Sequence, residues 1–305
     1  MSSHPSQIAV REDASRLPVS LATIGEHQRL GEPLVMVTAY DFPSARAAEA
    51  AGVDLVLVGD SGAMTVLGYP STVEVSVEEM LMLTRAVRRG LRTPLLVADL
   101  PFGSYEPSDE QAVRTAIAFI KQGGADAVKL ERGNDASVQR ARAIVQAGIP
   151  VMGHVGLTPQ TATALGGYRA QGRSAGGAVR IAEEMLALQA AGCFTIVLEA
   201  VPAAVTEALM PLLDVPVIGI GAGPATDGQV LVFHDLLGIR EGRGARFVQR
   251  YADLQSEMNA GVAAYASDVR ARRYPAPEHG YSIDPEQLAA FHAELSAPSE
   301  QKPRG

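Results

Sequence analysis

Residues 94–131 read PLLVADLPFGSYEPSDEQAVRTAIAFIKQGGADAVKLE and contain two apolar runs separated by a more polar segment. The stretch opens with the apolar run PLLVADLP (94–101) and closes with the apolar run AVKLE (127–131). Between these runs, residues 109–122 carry one apolar helical stripe, formed by Val113, Ala116, Ile117 and Ile120. A strand, a helix and a second strand therefore follow one another, which is the β–α–β unit that joins parallel strands.

The same unit recurs along the chain roughly every 30 residues. Further strands are predicted at residues 34–41, 54–60, 150–156, 195–201 and 216–223, with a weaker eighth strand, RFVQRYA, at 246–252. These runs are continuously apolar rather than alternating, which is typical of parallel strands buried on both faces. Strands and helices in this number and order predict an α/β fold of the (β/α)8 type, the TIM barrel. A doubly wound open sheet is the competing architecture.

The segments outside the repeated units are predicted to frame the barrel. Residues 20–31 are expected to form an N-terminal helix that caps its bottom, and residues 254–274 a last helix. We expect a single catalytic domain over residues 20–280, preceded by a flexible tail at residues 1–19. A C-terminal extension at residues 281–305 is expected to form one short helix and then to be disordered.

The composition disfavours several classes of protein. The 305 residues include 26 basic and 34 acidic side chains, a net charge of −8 at pH 7, so no nucleic-acid partner is expected. No run approaches the ~18 apolar residues that span a bilayer, and the N-terminus is too polar and too acidic for a secretory signal. Cys193 is the only cysteine, which excludes an intramolecular disulfide and a cysteine-rich metal site. We expect a cytoplasmic protein without a membrane partner.

Charged and titratable residues stand at the C-terminal ends of the predicted strands. They are Asp60, Asp99, Lys129, Glu131, His154 and Glu199. In a barrel these ends converge on one mouth, where active sites form. A single charge at a strand end often only begins a solvated loop, but this many groups on one side indicate a functional mouth. Burying several carboxylates together is costly unless a cation compensates them.

Carboxylate oxygens suit a hard cation, and Mg²⁺ usually takes one or two of them from the protein. Asp60 and Asp99 are the expected ligands, with Glu131 as a third, either directly or through water. Zinc is disfavoured because the set lacks several histidines.

Three residues of this set have more than one interpretation. Glu199 is either the base that takes a proton near neutral pH or the partner of Lys129 in an ion pair. Lys129 is either a permanent cation for a substrate carboxylate or a nucleophile that forms an imine. His154 is either an orienting hydrogen-bond group or a core histidine with satisfied hydrogen bonds.

Two glycine-rich segments lie near the predicted mouth. GIGAG (219–223) lacks the last glycine of a dinucleotide-binding fingerprint, because Pro224 stands in its place. Its glycines are expected to let the backbone approach a ligand. The loop at residues 157–178, with Tyr168 near its middle, is either a lid or a plain connection.

Several long segments carry a resemblance to a known family. They include VGDS (58–61), VADLPFGSY (97–105), VKLE (128–131), GHVGLTPQ (153–160), GGYRAQGR (166–173), LEAVP (198–202) and PVIGIGAG (216–223). On these motifs the chain resembles the ketopantoate hydroxymethyltransferase family, also called 3-methyl-2-oxobutanoate hydroxymethyltransferase. The resemblance implies transfer of a hydroxymethyl group from 5,10-methylenetetrahydrofolate to 3-methyl-2-oxobutanoate, through a Mg²⁺-stabilised enolate. The product is 2-dehydropantoate (ketopantoate), in the first step towards pantothenate and coenzyme A.

The resemblance also implies roles for single residues. Each subunit is expected to hold one Mg²⁺ through Asp60 and Asp99, with Glu131 in the metal site. Glu199 is the implied proton acceptor. The implied contacts of the oxoacid are Asp60, Ser61, Asp99 and Lys129. Family members assemble as homodecamers, so the same assembly is expected here.

The chain departs from the family pattern at two places. Gly62 and Ala63 change the loop beside Ser61, and Arg132 stands where the family often has glycine. Two alternatives stay open: a Mg²⁺-dependent lyase or mutase of the phosphoenolpyruvate mutase type acting on another 2-oxoacid, and a Schiff-base aldolase that uses Lys129. A non-catalytic barrel is disfavoured because the strand-end acids are all present.

Overall fold

The structure is a computed structural model that describes residues 16–240, 242 and 244–296. It divides into two compact units, with the boundary between Ala252 and Asp253. Most of the predicted N-terminal tail and the predicted disorder at residues 297–305 lie outside the described residues. The single domain over residues 20–280 stays a prediction.

The first unit contains a closed barrel of parallel strands, each paired with its neighbours in chain order. The strands are β1 (Leu34–Thr38), β2 (Leu55–Val58), β3 (Leu95–Asp99), β4 (Ala127–Lys129), β5 (Val151–Gly156), β6 (Thr195–Glu199), β7 (Val217–Ile220) and β8 (Gly228–Leu231). Pairing of β8 with β1 closes the ring, with Gly228 beside Leu34. The predicted TIM barrel is confirmed, and the open doubly wound sheet is wrong.

The helices of the first unit lie between the strands or flank them. They are α1 (Leu21–Leu30), α2 (Phe42–Ala51), α3 (Gly62–Thr65), α4 (Val77–Gly90), α5 (Asp109–Ala118), α6 (Asp135–Gln146), α7 (Ala175–Ala191), α8 (Ala203–Leu209) and α9 (Phe233–Leu237). Side-chain caps fix where several begin, since Asp41, Ser76 and Ser108 each accept a hydrogen bond from a backbone N–H in the first turn that follows. Gly52 and Gly192 adopt the left-handed conformation that ends α2 and α7.

The eighth strand does not lie where the sequence pattern placed it. Residues 246–252 form turns and irregular backbone, so the predicted strand RFVQRYA is wrong. β8 instead follows β7 after residues 221–227, without an intervening helix. The repeat of strand and helix breaks at this point, and Gly228 and Gln229 interrupt the apolar run that marks the other strands.

Side chains alternate between the two sides of the barrel wall. Along β2, Leu55 and Leu57 belong to the cluster inside the barrel, whereas Val56 and Val58 belong to the cluster that includes the surrounding helices. Ile24 of α1 packs in the inner cluster, so the N-terminal helix caps the barrel as predicted.

The second unit contains the helices α10 (Leu254–Arg270) and α11 (Pro285–Ser296). The first covers most of the last helix predicted at residues 254–274. The second is the short helix predicted in the C-terminal extension. Neither helix has a buried residue.

Among the described residues, no helix combines the length and the apolar character that crossing a membrane requires.

The closure of the barrel depends on the absence of a side chain at Gly228. A Cβ there would lie 2.5 Å from the carbonyl oxygen of Leu34 and 2.8 Å from Cδ1 of Ile218. We therefore expect Gly228→Ala to lower the free energy of unfolding by roughly 1–3 kcal/mol, because β1 and β7 must move apart. Urea-induced unfolding followed by far-UV circular dichroism measures this change.

Gly25→Ala is the matched control, because Gly25 lies within α1 and a Cβ added there would meet no atom within 4 Å. This substitution is expected to leave stability unchanged or to raise it by up to ~1 kcal/mol, as alanine favours a helix over glycine. Equal stability of the two variants would contradict the role of Gly228 in closure.

Candidate active site

Because side chains alternate along each strand, several predicted site residues point into the barrel at its mouth. Val97 and Val197 belong to the inner cluster. Asp99 and Glu199 stand two residues further on, at the ends of β3 and β6, so they also point inward. Lys129 is paired in register with Asp99 on the neighbouring strand. The fold therefore places an acidic and a basic side chain next to each other.

One cavity of about 260 Å³ occupies the mouth. The predicted site residues all line it: Asp60, Ser61, Asp99, Lys129, Glu131, His154 and Glu199. The predicted convergence of the strand ends is confirmed. Tyr168 also lines the cavity, so the loop at residues 157–178 contributes to the mouth.

Lys129 and Asp99 form a buried ion pair. Nζ of Lys129 donates to Oδ1 of Asp99 at 2.5 Å and lies 4.0 Å from Oε1 of Glu131. Burial alone would lower the pKa of Lys129, but the charges of Asp99, Glu131 and Asp60 outweigh burial and raise this pKa. Lys129 is therefore held as an ammonium group. This favours a fixed cation over the neutral amine that a Schiff base requires.

Asp60 forms no ion pair within the described residues, whereas its neighbour Asp99 pairs with Lys129. Its side chain is buried, and its backbone N–H donates to Oδ2 of Asp99 at 3.0 Å. Burial, followed by the charges of Asp99 and Glu131, raises the pKa of Asp60 well above its usual value. A divalent cation at this point would relieve the repulsion that otherwise favours protonation of Asp60.

His154 lies between two carboxylates. Its Nδ1 is 3.3 Å from Oε1 of Glu131, and its Nε2 is 3.3 Å from Oε2 of Glu199. His154 lines the cavity of the mouth, and the neighbour of each ring nitrogen is a carboxylate. Burial and the charge of Lys129 oppose protonation, but the two carboxylates outweigh them and raise the pKa of His154 to about 9. The ring is therefore an imidazolium at neutral pH and an ionic bridge between the two acids.

Glu199 is more open to the cavity than Glu131. Its side chain is 15% exposed, whereas that of Glu131 is 1% exposed. No ion pair between Glu199 and Lys129 is formed within the described residues, and the charged neighbour of Glu199 is His154 instead. The more open carboxylate is the one better placed to meet a substrate.

Two uncharged residues that the sequence analysis did not single out connect the acids. Nε2 of Gln160 donates to Oδ2 of Asp60 at 2.9 Å, and its backbone N–H donates to Oε2 of Glu131 at 3.0 Å. Oε1 of Gln160 accepts from the Tyr105 hydroxyl at 2.8 Å. That hydroxyl accepts in turn from the backbone N–H of Glu131 at 3.3 Å. We call Gln160 and Tyr105 the glutamine clamp, because together they fix Asp60 relative to Glu131.

The clamp residues were missed because amide and phenol groups are common in loops. Both lie within motifs that carry the family resemblance, VADLPFGSY (97–105) and GHVGLTPQ (153–160). These motifs and the positions of the two residues in the loops that follow β3 and β5 were the available signals.

Ser61 is held by a buried tyrosine. Its hydroxyl lies 2.8 Å from the hydroxyl of Tyr40. Burial raises the pKa of Tyr40 to about 12, so the phenol stays protonated. The ring of Tyr40 also packs closely against Gly62, because a Cβ there would lie 2.8 Å from Tyr40 Cδ1.

The glycines of GIGAG (219–223) approach the protein's own side chains. A Cβ at Gly221 would lie 2.5 Å from the ring of Phe247, and one at Gly223 would lie 2.5 Å from Cβ of Ala203. Internal packing therefore requires glycine at these two positions, and their expected approach to a ligand stays a prediction.

The donor set of the mouth fits a hard divalent cation. Carboxylates outnumber cationic groups in its lining. The acids are Asp60, Asp99, Glu131, Glu199 and Asp235, and the cationic groups are Lys129, His154 and Arg240, which pairs with Asp235. Within the described residues, no three His, Cys, Asp or Glu side chains converge as an all-protein metal cage would. Mg²⁺ needs no such cage, since it usually takes one or two protein carboxylates and completes its coordination with water and substrate oxygens.

The sequence matches the family model of ketopantoate hydroxymethyltransferase over residues 18–277. It is 51% identical to the 3-methyl-2-oxobutanoate hydroxymethyltransferase of Moorella thermoacetica, over 88% of this chain and 99% of the relative. It is 50% identical to the enzyme of the same name from Deinococcus radiodurans, over 85% of this chain and 91% of the relative. It is 48% identical to 3-methyl-2-oxobutanoate hydroxymethyltransferase 1, mitochondrial, of Arabidopsis thaliana, over 91% of this chain and 82% of the relative.

Solved structures resemble the chain at much lower identity. Phosphonopyruvate hydrolase in complex with oxalate and Mg²⁺ superposes with a TM-score of 0.57 at 13% identity, covering 91% of this chain and 96% of that one. 2,3-Dimethylmalate lyase, a member of the PEP mutase/isocitrate lyase superfamily, gives a TM-score of 0.53 at 15% identity, covering 92% of this chain and 100% of that one. At these identities the likeness concerns the fold alone.

Removing the side-chain donor of the glutamine clamp is expected to destabilise the mouth. Gln160→Met keeps the length of the side chain but leaves Oδ2 of Asp60 and the carbonyl of Leu100 without their donor. The cost of buried acceptors left unpaired predicts a loss of ~1–3 kcal/mol in the free energy of unfolding. Urea unfolding in the presence of EDTA measures this loss without a contribution from bound cations.

Gln139→Met is the matched control, because Gln139 also donates to an aspartate, Asp109, but on the exposed surface. Its effect is expected to stay within ~0.5 kcal/mol. If both variants were equally stable, the clamp would not be a structural element of the mouth.

Proposed function

Because the chain belongs to the ketopantoate hydroxymethyltransferase family, we propose that it forms 2-dehydropantoate from 3-methyl-2-oxobutanoate and 5,10-methylenetetrahydrofolate. The observation that carries the proposal is the cavity in which the strand-end acids meet. These acids lie within the segment that matches the family model, residues 18–277. The reaction consumes one water and releases tetrahydrofolate, and it is the first step towards pantothenate and coenzyme A.

A divalent cation, Mg²⁺, is the proposed cofactor. Asp60 and Asp99 would hold it, with Glu131 beside them, because these carboxylates are buried together and the pKa of Asp60 is raised by burial and by the other two. When bound, Mg²⁺ supplies positive charge that polarises the 2-oxo group and stabilises the negative charge that develops at the oxoacid.

The residues of the mouth have distinct proposed roles toward the oxoacid. Lys129, held as an ammonium by Asp99, offsets negative charge where the carboxylate of the oxoacid binds. Ser61, positioned by the Tyr40 hydroxyl, donates a hydrogen bond to the substrate. Asp60 and Asp99, which line the same cavity, would contact the substrate in addition to holding the cation.

Glu199 is the proposed base that removes the C3 proton of the oxoacid. Its carboxylate is the more open of the two that flank His154. His154 holds this carboxylate in place through the contact between Nε2 and Oε2 and is thus a positioning residue. The carbanion equivalent at C3 then forms a C–C bond to the methylene carbon of the folate as one C–N bond of that carbon breaks. Water provides the oxygen of the new hydroxymethyl group as the second C–N bond breaks, and the two nitrogens, now carrying the C3 proton and one proton of water, leave as tetrahydrofolate.

The open alternatives are weakened by different observations. The Schiff-base aldolase requires a neutral Lys129, and the neighbouring carboxylates keep this side chain charged. A lyase or mutase of the phosphoenolpyruvate mutase type is supported by likeness of fold alone, whereas the family match extends along the sequence. We also propose a cytoplasmic location and a homodecameric assembly, and the support for both is the family resemblance.

Exchange of the C3 proton of 3-methyl-2-oxobutanoate with deuterated water, followed by NMR without folate, tests the proposed chemistry. We expect exchange with Mg²⁺ present and its loss in EDTA, because the cation stabilises the charge left when the proton departs. Borohydride trapping is expected to give no adduct at Lys129. Exchange that persists in EDTA together with a borohydride adduct would instead establish the Schiff-base aldolase. Absence of exchange with Mg²⁺, both with and without folate, would refute the oxoacid as substrate.

Glu199→Gln is expected to reduce this exchange by at least ~100-fold, because the substitution removes the general base while keeping the shape of the side chain. Glu207→Gln, on the exposed surface of α8, is the control and should exchange at the rate of the unmodified protein. Retained exchange in Glu199→Gln would exclude Glu199 as the base.

A further inference from the structure

A second cavity lies outside the mouth, between the ends of β4 and β5 and helix α7. It has a volume of about 450 Å³. We call it the arginine cleft, and the residues that define it are Arg132, Thr158, Thr161, Leu165, Arg180 and Glu184. It shares no lining residue with the cavity of the mouth, so the roles proposed above leave it unexplained.

The arginine cleft carries a net positive charge. Its lining contains two arginines, Arg132 and Arg180, and one acid, Glu184, so its formal charge is 2 − 1 = +1. Within the described residues, neither guanidinium closes an ion pair with Glu184 or another carboxylate. Arginine presents its donors as a planar fork that matches a carboxylate. Two such forks in one cleft therefore suit a ligand that carries carboxylate groups.

The backbone holds Arg132 in an uncommon conformation. Its φ is 75°, in the left-handed region that residues other than glycine rarely adopt. The backbone N–H of Arg132 donates to the carbonyl of His154 at 2.8 Å, which anchors it beside the mouth. The next residue is fixed as well, because a Cβ at Gly133 would lie 2.4 Å from Cβ of Glu184. A charged side chain kept at a strained position directly after Glu131 is a sign of function.

One loop lines both cavities. Pro159 and Tyr168 face the mouth, whereas Thr158, Thr161 and Leu165 line the arginine cleft. A ligand that reaches from one cavity to the other therefore crosses this loop. Its reactive end would lie at the mouth and its anionic end in the cleft.

We propose that the arginine cleft binds the glutamyl carboxylates of the folate co-substrate. The inference rests on the proposed function, which supplies the folate. The one-carbon unit and the glutamyl tail stand at opposite parts of that molecule, so a tail site separate from the reacting carbon is required. Arg132 and Arg180 contact the tail, and the site contributes to affinity for the co-substrate rather than to chemistry at C3.

The test compares three co-substrates that differ only in the tail: the 5,10-methylene derivatives of tetrahydropteroate, tetrahydropteroylmonoglutamate and tetrahydropteroyltriglutamate. We expect KM in the unmodified protein to fall once glutamate is present. Arg180→Gln and Arg132→Gly should each raise KM about tenfold for the glutamylated forms and leave KM for the pteroate form unchanged. Both variants should retain kcat and metal-dependent C3 exchange. Arg180→Lys should recover part of the affinity, because it keeps the charge without the fork.

Arg85→Gln, on the exposed surface of α4 and outside both cavities, is the matched control. It should leave the three KM values as they are. Glycine is the choice at position 132 because it adopts the left-handed conformation without strain, so a folding defect is not expected.

Three outcomes are informative against the proposal. Equal KM values for the three co-substrates in the unmodified protein would overturn it, and so would variants that raise all three equally. If inorganic phosphate alters the rate with the pteroate form and Arg180→Gln abolishes that effect, the cleft takes a free anion instead of the tail. Failure of the unmodified protein to exchange the C3 proton or to form 2-dehydropantoate would refute the proposed function itself, which is a separate result from any dependence on tail length.

Discussion

A surplus of buried negative charge at the barrel mouth is the constraint on which the site depends. Lys129 balances Asp99, and the imidazolium of His154 serves both Glu131 and Glu199. The Asp60 carboxylate instead accepts a hydrogen bond from an uncharged carboxamide, that of Gln160. An uncompensated buried carboxylate costs several kcal/mol, about the penalty that shifts such a group towards its protonated form. The place of greatest imbalance is therefore next to Asp60 and Asp99, and this is where a cation would bring the largest relief.

The barrel geometry turns this constraint into fixed positions. Because side chains alternate along each strand, every second residue at the C-terminal end enters the same cavity. The register between β3 and β4 sets Asp99 beside Lys129 without help from a flexible loop. Asp60 lies beyond the end of β2 and lacks this support. Asp60 is held instead by the glutamine clamp and by the hydrogen bond from its backbone N–H to Asp99. Hydrogen bonds to neighbouring elements therefore fix the one of these two acids that no strand positions.

Much of the fold and of the site could be predicted from sequence, because both leave local patterns. Continuous apolar runs marked the strands, and charges at their ends marked the mouth. The eighth strand escaped because Gly228 and Gln229 carry little hydrophobic signal, and because no helix precedes β8. Gln160 and Tyr105 escaped for another reason: their importance lies in contacts between residues far apart in sequence. The strain at Arg132 is likewise a property of backbone dihedrals, which no residue pattern encodes.

The shared imidazolium couples the proposed metal site to the proposed base. His154 contacts Glu131 on one side and Glu199 on the other, so both carboxylates compete for the same positive charge. A cation near Glu131 would compensate part of the negative charge of that carboxylate. The imidazolium of His154 would then interact more strongly with Glu199. Removal of a proton from substrate would then place a neutral acid beside His154 at the moment when negative charge appears on the oxoacid. The positive charges of Lys129 and His154 remain in the cavity throughout, because both are buried and neither needs to move. Burying the charged residues of the mouth makes folding more costly. In the folded protein the same residues form a preorganised electrostatic field that stabilises an anion developing in the cavity.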